Sequence, residues 1–136
     1  MNKLEAIQTI VQMGGDVEFE RRGDSDAKVT QVVLSEKRFR DKHLALLEPL
    51  APFGFLGIGR ESQITEAGIR SLARFTWLEK LSLYGSQIED STISLLSGVR
   101  GLTYFSLGKT RITDEGVAAL RAFRSLSWLS LSETKV

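Results

Sequence analysis

Between Val29 and Val136 the chain repeats one apolar skeleton at a spacing of 24 residues. Leu78, Leu81, Leu83, Ile88, Ile93, Leu96 and Val99 are followed, at that shift, by Leu102, Phe105, Leu107, Ile112, Val117, Leu120 and Phe123, and then by Leu126, Leu129, Leu131 and Val136. Backwards, Phe53, Leu56, Ile58, Ile64, Ile69, Leu72 and Phe75 fit once an extra residue is allowed within "GRESQ", and Val29, Val32, Leu34, Phe39, Leu44, Leu47 and Leu50 make the first copy. Four full units and the strand of a fifth result. Each unit has two halves. The first, such as "LEKLSL", alternates as a strand does, whereas Ile88, Ile93, Leu96 and Val99 have the spacing of a turn leading into a short helix. One strand and one helix cannot bury an apolar face alone, but stacked copies cover each other, which is the logic of a repeat stack.

Local signals agree with the register. In "ITEAGI" and "ITDEGV", Thr65 and Thr113 are placed to cap a helix start, and Glu66, Asp114 and Glu115 suit the positive end of its dipole. Asp41 and Asp90 are expected in the matching cap place of the other units. Gly68 and Gly116 are poor helix-interior residues, so close packing between turns is expected to require them.

This pattern resembles the leucine-rich repeat, and its "ITD.G" turn is similar to the subtype of F-box-type substrate receptors and of small bacterial, notably planctomycete, proteins. The resemblance covers residues 29 to 136. It implies an α/β fold: a right-handed solenoid with a parallel sheet on its concave side, short helices on the convex side, and in most members a non-enzymatic binding role. The ninth position, often Asn or Cys in the family, reads Lys37, Ser62, Ser86, Thr110 and Thr134 here. A hydroxyl ladder is expected to replace the amide ladder, with Lys37 marking an irregular start.

Residues 1 to 28 read as an N-terminal cap, and residues 29 to 136 as one continuous repeat domain. An amphipathic helix is expected over residues 3 to 13, with Leu4, Ile7, Ile10 and Val11 on its buried face and Gly14 and Gly15 stopping it. Val17 and Phe19 indicate a short strand, followed by a polar loop from Arg21 to Lys28. At the other end, Leu129, Leu131 and Val136 would lie on an open edge, a surface through which two copies could pair.

Composition limits the function. The 136 residues carry a net charge of +1, which supplies no global field for nucleic acid or anionic lipid. Without cysteine there is no disulfide framework and no thiol chemistry. Glu5 and Gln8 interrupt any apolar leader core, so a cytoplasmic chain is expected. No nucleophile, base and oxyanion constellation can be assembled, so no enzyme, cofactor or metal is expected.

In the resemblance, residues flanking the middle strand leucine face the concave surface. Phe55, Lys80, Tyr84, Tyr104 and Trp128 are therefore the expected contacts with a protein or peptide partner, because Tyr and Trp provide contact area at low entropic cost. Other motifs carry less. Arg22, Gly23 and Asp24 resemble an integrin-binding tripeptide, but a polar turn accounts for them. "GFLGIG" has the wrong spacing for a phosphate loop. His43 is expected to be a solvated surface histidine. Arg70, Arg74, Arg100, Arg121 and Arg124 would form a basic stripe on the helical side, diluted by Glu66 and Glu115.

Overall fold

The computed structural model describes residues 1 to 22 and 26 to 136. It is an α/β fold with a single six-stranded sheet whose strands follow chain order. Strand β1 (Asp16–Arg22) pairs antiparallel with β2 (Asp26–Leu34). From there β3 (Phe55–Ile58), β4 (Lys80–Ser82), β5 (Tyr104–Ser106) and β6 (Trp128–Ser130) are added in parallel. The crossovers carry a 3-10 helix at Asp41–Leu50, then α2 (Glu66–Ser71), α3 (Asp90–Leu95) and α4 (Asp114–Ala119), after the N-terminal α1 (Lys3–Gln12). Pro49 lies inside the 3-10 helix, where it has no amide to donate to an α-helical ladder.

The strand pairings reproduce the repeat register: Val32, Leu56, Leu81, Phe105 and Leu129 are consecutive partners. The first four are fully buried, and one hydrophobic cluster runs from Ala6 to Phe123. Alternation sends the neighbouring residues of each strand to the opposite side of the sheet.

The N-terminal segment departs from expectation in two ways. Helix α1 buries Ala6 and Ile10, with Ile7 and Met13 half-covered, while Leu4 (63%) and Val11 (53%) face solvent. The helix is rotated by its C-terminal anchor: a Cβ on Gly15 would lie 2.7 Å from Ile10 Cγ2 and 2.8 Å from Phe39 Cζ, so Ile10 is the residue held against the stack. The stop itself is a Schellman turn, with Gly14 at φ 90° and the amides of Gly14 and Gly15 donating to the carbonyls of Val11 and Ile10. In addition, the loop expected from Arg21 to Lys28 is largely strand, since β1 extends to Arg22 and β2 begins at Asp26. Gly23 and Asp24 of the tripeptide lie outside the described residues.

The helix starts alternate between two solutions. Each repeat must satisfy the backbone amide of the residue just before its helix. In the first and third units the unit's own side chain does so: the Arg40 amide donates to His43 Nδ1 (2.9 Å) and the Glu89 amide to Thr92 Oγ1 (3.3 Å). In the second and fourth the acceptor comes from the preceding unit. The Thr65 amide donates to Asp41 Oδ1 and its hydroxyl to Oδ2, at 2.7 and 2.5 Å. Thr113 makes the same pair to Asp90 at the same distances. Asp41 and Asp90 are thus first helical residues rather than caps, one place further along than expected. Thr65 makes no side-chain cap bond, and Thr113 accepts only a 3.4 Å contact from the Glu115 amide.

Gly68 and Gly116 make room for this clamp. A Cβ on Gly68 would collide with Asp41 Oδ1, and one on Gly116 with Asp90 Oδ1. His43 and Thr92 occupy the corresponding places in the other units, where each accepts its own unit's amide. His43 is therefore not the solvated histidine expected. It is half-buried and edge-on to Phe39 at 6.2 Å, and desolvation, then Lys42 and Arg40, hold its pKa below the usual histidine value.

Candidate protein-interaction face

Strand alternation places Phe55, Lys80, Tyr104 and Trp128 in one register row on the side of the sheet away from the helices. The rings do not simply point outward. Tyr104 and Trp128 stack at 4.1 Å between centroids with 3° between planes. Phe55 and Tyr104 are two strands apart, which separates their backbones by about 10 Å, yet their ring centroids are 6.0 Å apart. They lean toward one another across the strand that carries Lys80. Lys80 remains exposed.

Tyr84 follows β4 and is 41% exposed. Its ring lies over Gly108, where a Cβ would meet ring carbons at 2.8 and 2.9 Å. Beside it, Val33, Phe55, Gly57, Ser82 and Tyr84 line a shallow depression of about 180 Å³. All five expected contact residues thus share one side of the sheet, with Trp128 the most open of the aromatics at 46%. Ser106, expected on the same side, is buried at 6% in the row next to the rings.

The residues expected at the edge are also exposed. Leu129 is 38% and Val136 54% exposed, and Leu131 is half-buried, whereas Leu81, Leu83, Phe105 and Leu107 at the equivalent places are at 0%.

Elsewhere the surface is less organised than the sequence implies. The hydroxyls of the ninth position form no ladder between units. Each closes its own turn on the carbonyl three residues back: Ser62 to Gly59, Ser86 to Leu83, Thr110 to Leu107 and Thr134 to Leu131, at 2.5 to 2.9 Å. The arginine stripe is broken because Arg74 is paired with Glu48 at 2.7 Å and lies over the Phe75 ring. Arg100 and Arg124 flank an open cleft of about 510 Å³ with Ser97 and Ala122. "GFLGIG" spans β3, in line with its rejection as a loop. Trp77, which the sequence reading did not single out, joins Phe53 (4.7 Å) and Phe75 (5.4 Å) in an aromatic cluster of residues that precede β3 and β4. Its signal was an aromatic residue one place before Leu78, close to the repeat positions Phe53 and Phe75.

Among the described residues no group of histidine and carboxylate side chains is placed to hold a metal ion, and no helix is long and apolar enough to cross a membrane.

No protein-family model matches this sequence, and no curated protein does. Among solved structures, an internalin (inlF) from Listeria monocytogenes str. 4b F2365 is similar, with 26% identity and a TM-score of 0.48. The match covers 67% of this chain and 31% of that one, so this chain corresponds to under a third of the internalin's length.

Proposed function

We propose that this chain is a protein-interaction module that receives a polypeptide partner on the solvent-facing side of its sheet, through Phe55, Lys80, Tyr84, Tyr104 and Trp128. In this reading the sheet lines the concave side of a right-handed leucine-rich-repeat solenoid, and residues 1 to 28 cap it. Burial of Ala6 and Ile10 in the common core supports the cap.

The observation that carries the reading is the stacked Tyr104–Trp128 pair on the same side of the sheet as a half-exposed Tyr84. Stacking holds two large rings in one orientation before any partner arrives, and rigid aromatic surface left in water is what a binding face contributes. The test is selection of a displayed 12-residue peptide library on the purified chain. Binders that are lost on Trp128→Ala and Tyr104→Ala, with thermal unfolding unchanged, support the reading. Binders indifferent to both substitutions refute it.

A second reading is favoured by the exposure of Leu129 where its equivalents are fully buried. Here β6 pairs with a second copy through Leu129, Leu131 and Val136. Light scattering distinguishes it: a dimer abolished by Leu129→Lys is expected, and a monomer at all concentrations refutes it.

A further inference from the structure

We infer that the partner segment carries a carboxylate, received by Lys80 between Phe55 and Tyr104, with an apolar side chain about three residues to either side. The inference rests on the reading of this sheet face as the binding surface. Lys80 stands at the centre of the row, and the strand positions around it on that face, from Gln31 to Ser130, are all uncharged. No carboxylate among the described residues lies within ion-pair distance of Lys80, unlike Lys109 and Arg111, which pair with Glu133 and Glu89.

A single unpaired cation, three strands from Asp16 and Glu18 on the β1 edge of the same face, does more for selectivity than for affinity. It attracts an anionic partner and repels a cationic one, and it sets the register of what binds. Phe55 and Tyr104 close to 6.0 Å across the strand that carries Lys80, so a segment whose carboxylate meets the exposed ammonium also lies against two rings.

Two apolar features flank it at similar distances. Trp128 lies two strands away on one side, and Val33, the far wall of a depression that begins at Ser82 on the Lys80 strand itself, lies two strands away on the other. Two strand spacings are about 10 Å, which a polyproline-II segment covers in about three residues, one full turn that brings its side chains back to the same side. A segment crossing the strands with the order apolar, two residues, Asp or Glu, two residues, apolar would engage all three at once.

The experiment is to repeat the 12-mer selection in parallel on the wild-type chain, on Lys80→Glu and on Lys80→Gln, each first shown to unfold at the wild-type temperature. The wild type is expected to enrich Asp or Glu with apolar residues three places away on both sides, and Lys80→Glu to enrich Lys or Arg instead. For a wild-type binder, changing its acid to Gln should weaken binding about three- to fivefold. Lys80→Gln should weaken it equally, with no further loss when both changes are combined, and the loss should shrink in high salt. Binders that need Trp128 but show no charge preference and no response at Lys80 overturn this inference and leave the binding-face reading standing. Failure to select any peptide on all three proteins overturns both.

Discussion

Asp90 on the third repeat holds Thr113 on the fourth by two bonds, accepting the backbone amide on Oδ1 at 2.7 Å and the hydroxyl on Oδ2 at 2.5 Å. The Gly116 amide adds a third, and together these hold the Asp90 carboxyl below its ordinary pKa of 3.8. Asp41 and Thr65 repeat the arrangement between the first and second units. The second and third units have no such clamp; what joins their helices is a 3.3 Å contact from the Ser91 hydroxyl to Glu66. A cleft of about 320 Å³, lined by Ser62 to Glu66 and by Ser86 and Gln87, lies at that boundary. The repeats are clamped in pairs.

Removing the clamp should be costly and coupled to the glycine. Hydrogen bonds to a charged acceptor are worth about 1.5–3 kcal/mol, and because Asp90 is only half-buried, Asp90→Ala is expected to cost about 2 kcal/mol in urea unfolding. Gly116→Ala should also destabilise, although alanine is the better helix former by about 1 kcal/mol, because its Cβ would collide with the Asp90 carboxylate. In the Asp90→Ala background the same glycine change should cost at least about 1 kcal/mol less. Strict additivity would mean that glycine and carboxylate act separately.

The acid limb of stability should bear the mark of Asp90. The unfolded chain binds this proton more readily than the folded one, so the stabilisation is present above pH 3.8 and is lost as pH falls from there through the depressed folded value. His43 acts in the same direction at higher pH. Its folded pKa is also lowered, so its contribution is complete above 6.5 and declines as pH falls below it. Unfolding free energies between pH 2 and 8 should therefore show two descending segments, and Asp90→Asn should flatten the lower one only.

Burial should grade the cost of the same truncation along the register column. Leu81→Ala, at a fully buried position, is expected to cost about 3 kcal/mol, and Leu129→Ala, 38% exposed, less than about 1 kcal/mol. Equal costs in denaturant unfolding would mean that β6 is covered in solution.

Lys109 and Glu133 take φ values of 53° and 56° at the place where the third unit has Gly85 at 73°. A left-handed conformation strains a residue with a Cβ by about 1–2 kcal/mol, part of which glycine's greater unfolded-state freedom offsets. Lys109→Gly should then raise stability by about 0.5–1 kcal/mol, despite the loss of an exposed 3.7 Å pair with Glu133. A fall in melting temperature would contradict the strain argument.

The repeat period made the sheet legible, because Val32, Leu56, Leu81, Phe105 and Leu129 must share a face if any of them is to be buried. It also placed Phe55, Lys80, Tyr104 and Trp128 in one row, since strand alternation determines the other face. The clamp was not read, although its signal was present: Asp at the first helical place with His43 or Thr92 two residues on alternates with Thr65 or Thr113 preceding Gly68 or Gly116. Each residue type is ordinary for a helix start, and only the alternation between units shows that one unit's carboxylate serves the next. The orientation of α1 was missed for a different reason. Leu4, Ile7 and Val11 form the more hydrophobic stripe, but the Gly15 contact with Ile10 and Phe39 decides which stripe packs. The closing of Phe55 and Tyr104 over the Lys80 strand depends on side-chain rotamers, which no pattern of spacing encodes.

The central claim is that the solvent-facing aromatic row is where a polypeptide binds. Its most direct test is calorimetric titration of one library-selected 12-mer into the wild-type chain and into Tyr104→Ala, the residue that touches both Phe55 and Trp128. Truncating a central aromatic should cost at least about 2 kcal/mol of binding, a weakening of roughly thirtyfold. An unchanged dissociation constant, with Tyr104→Ala folded as the wild type, would place the binding surface elsewhere on the molecule.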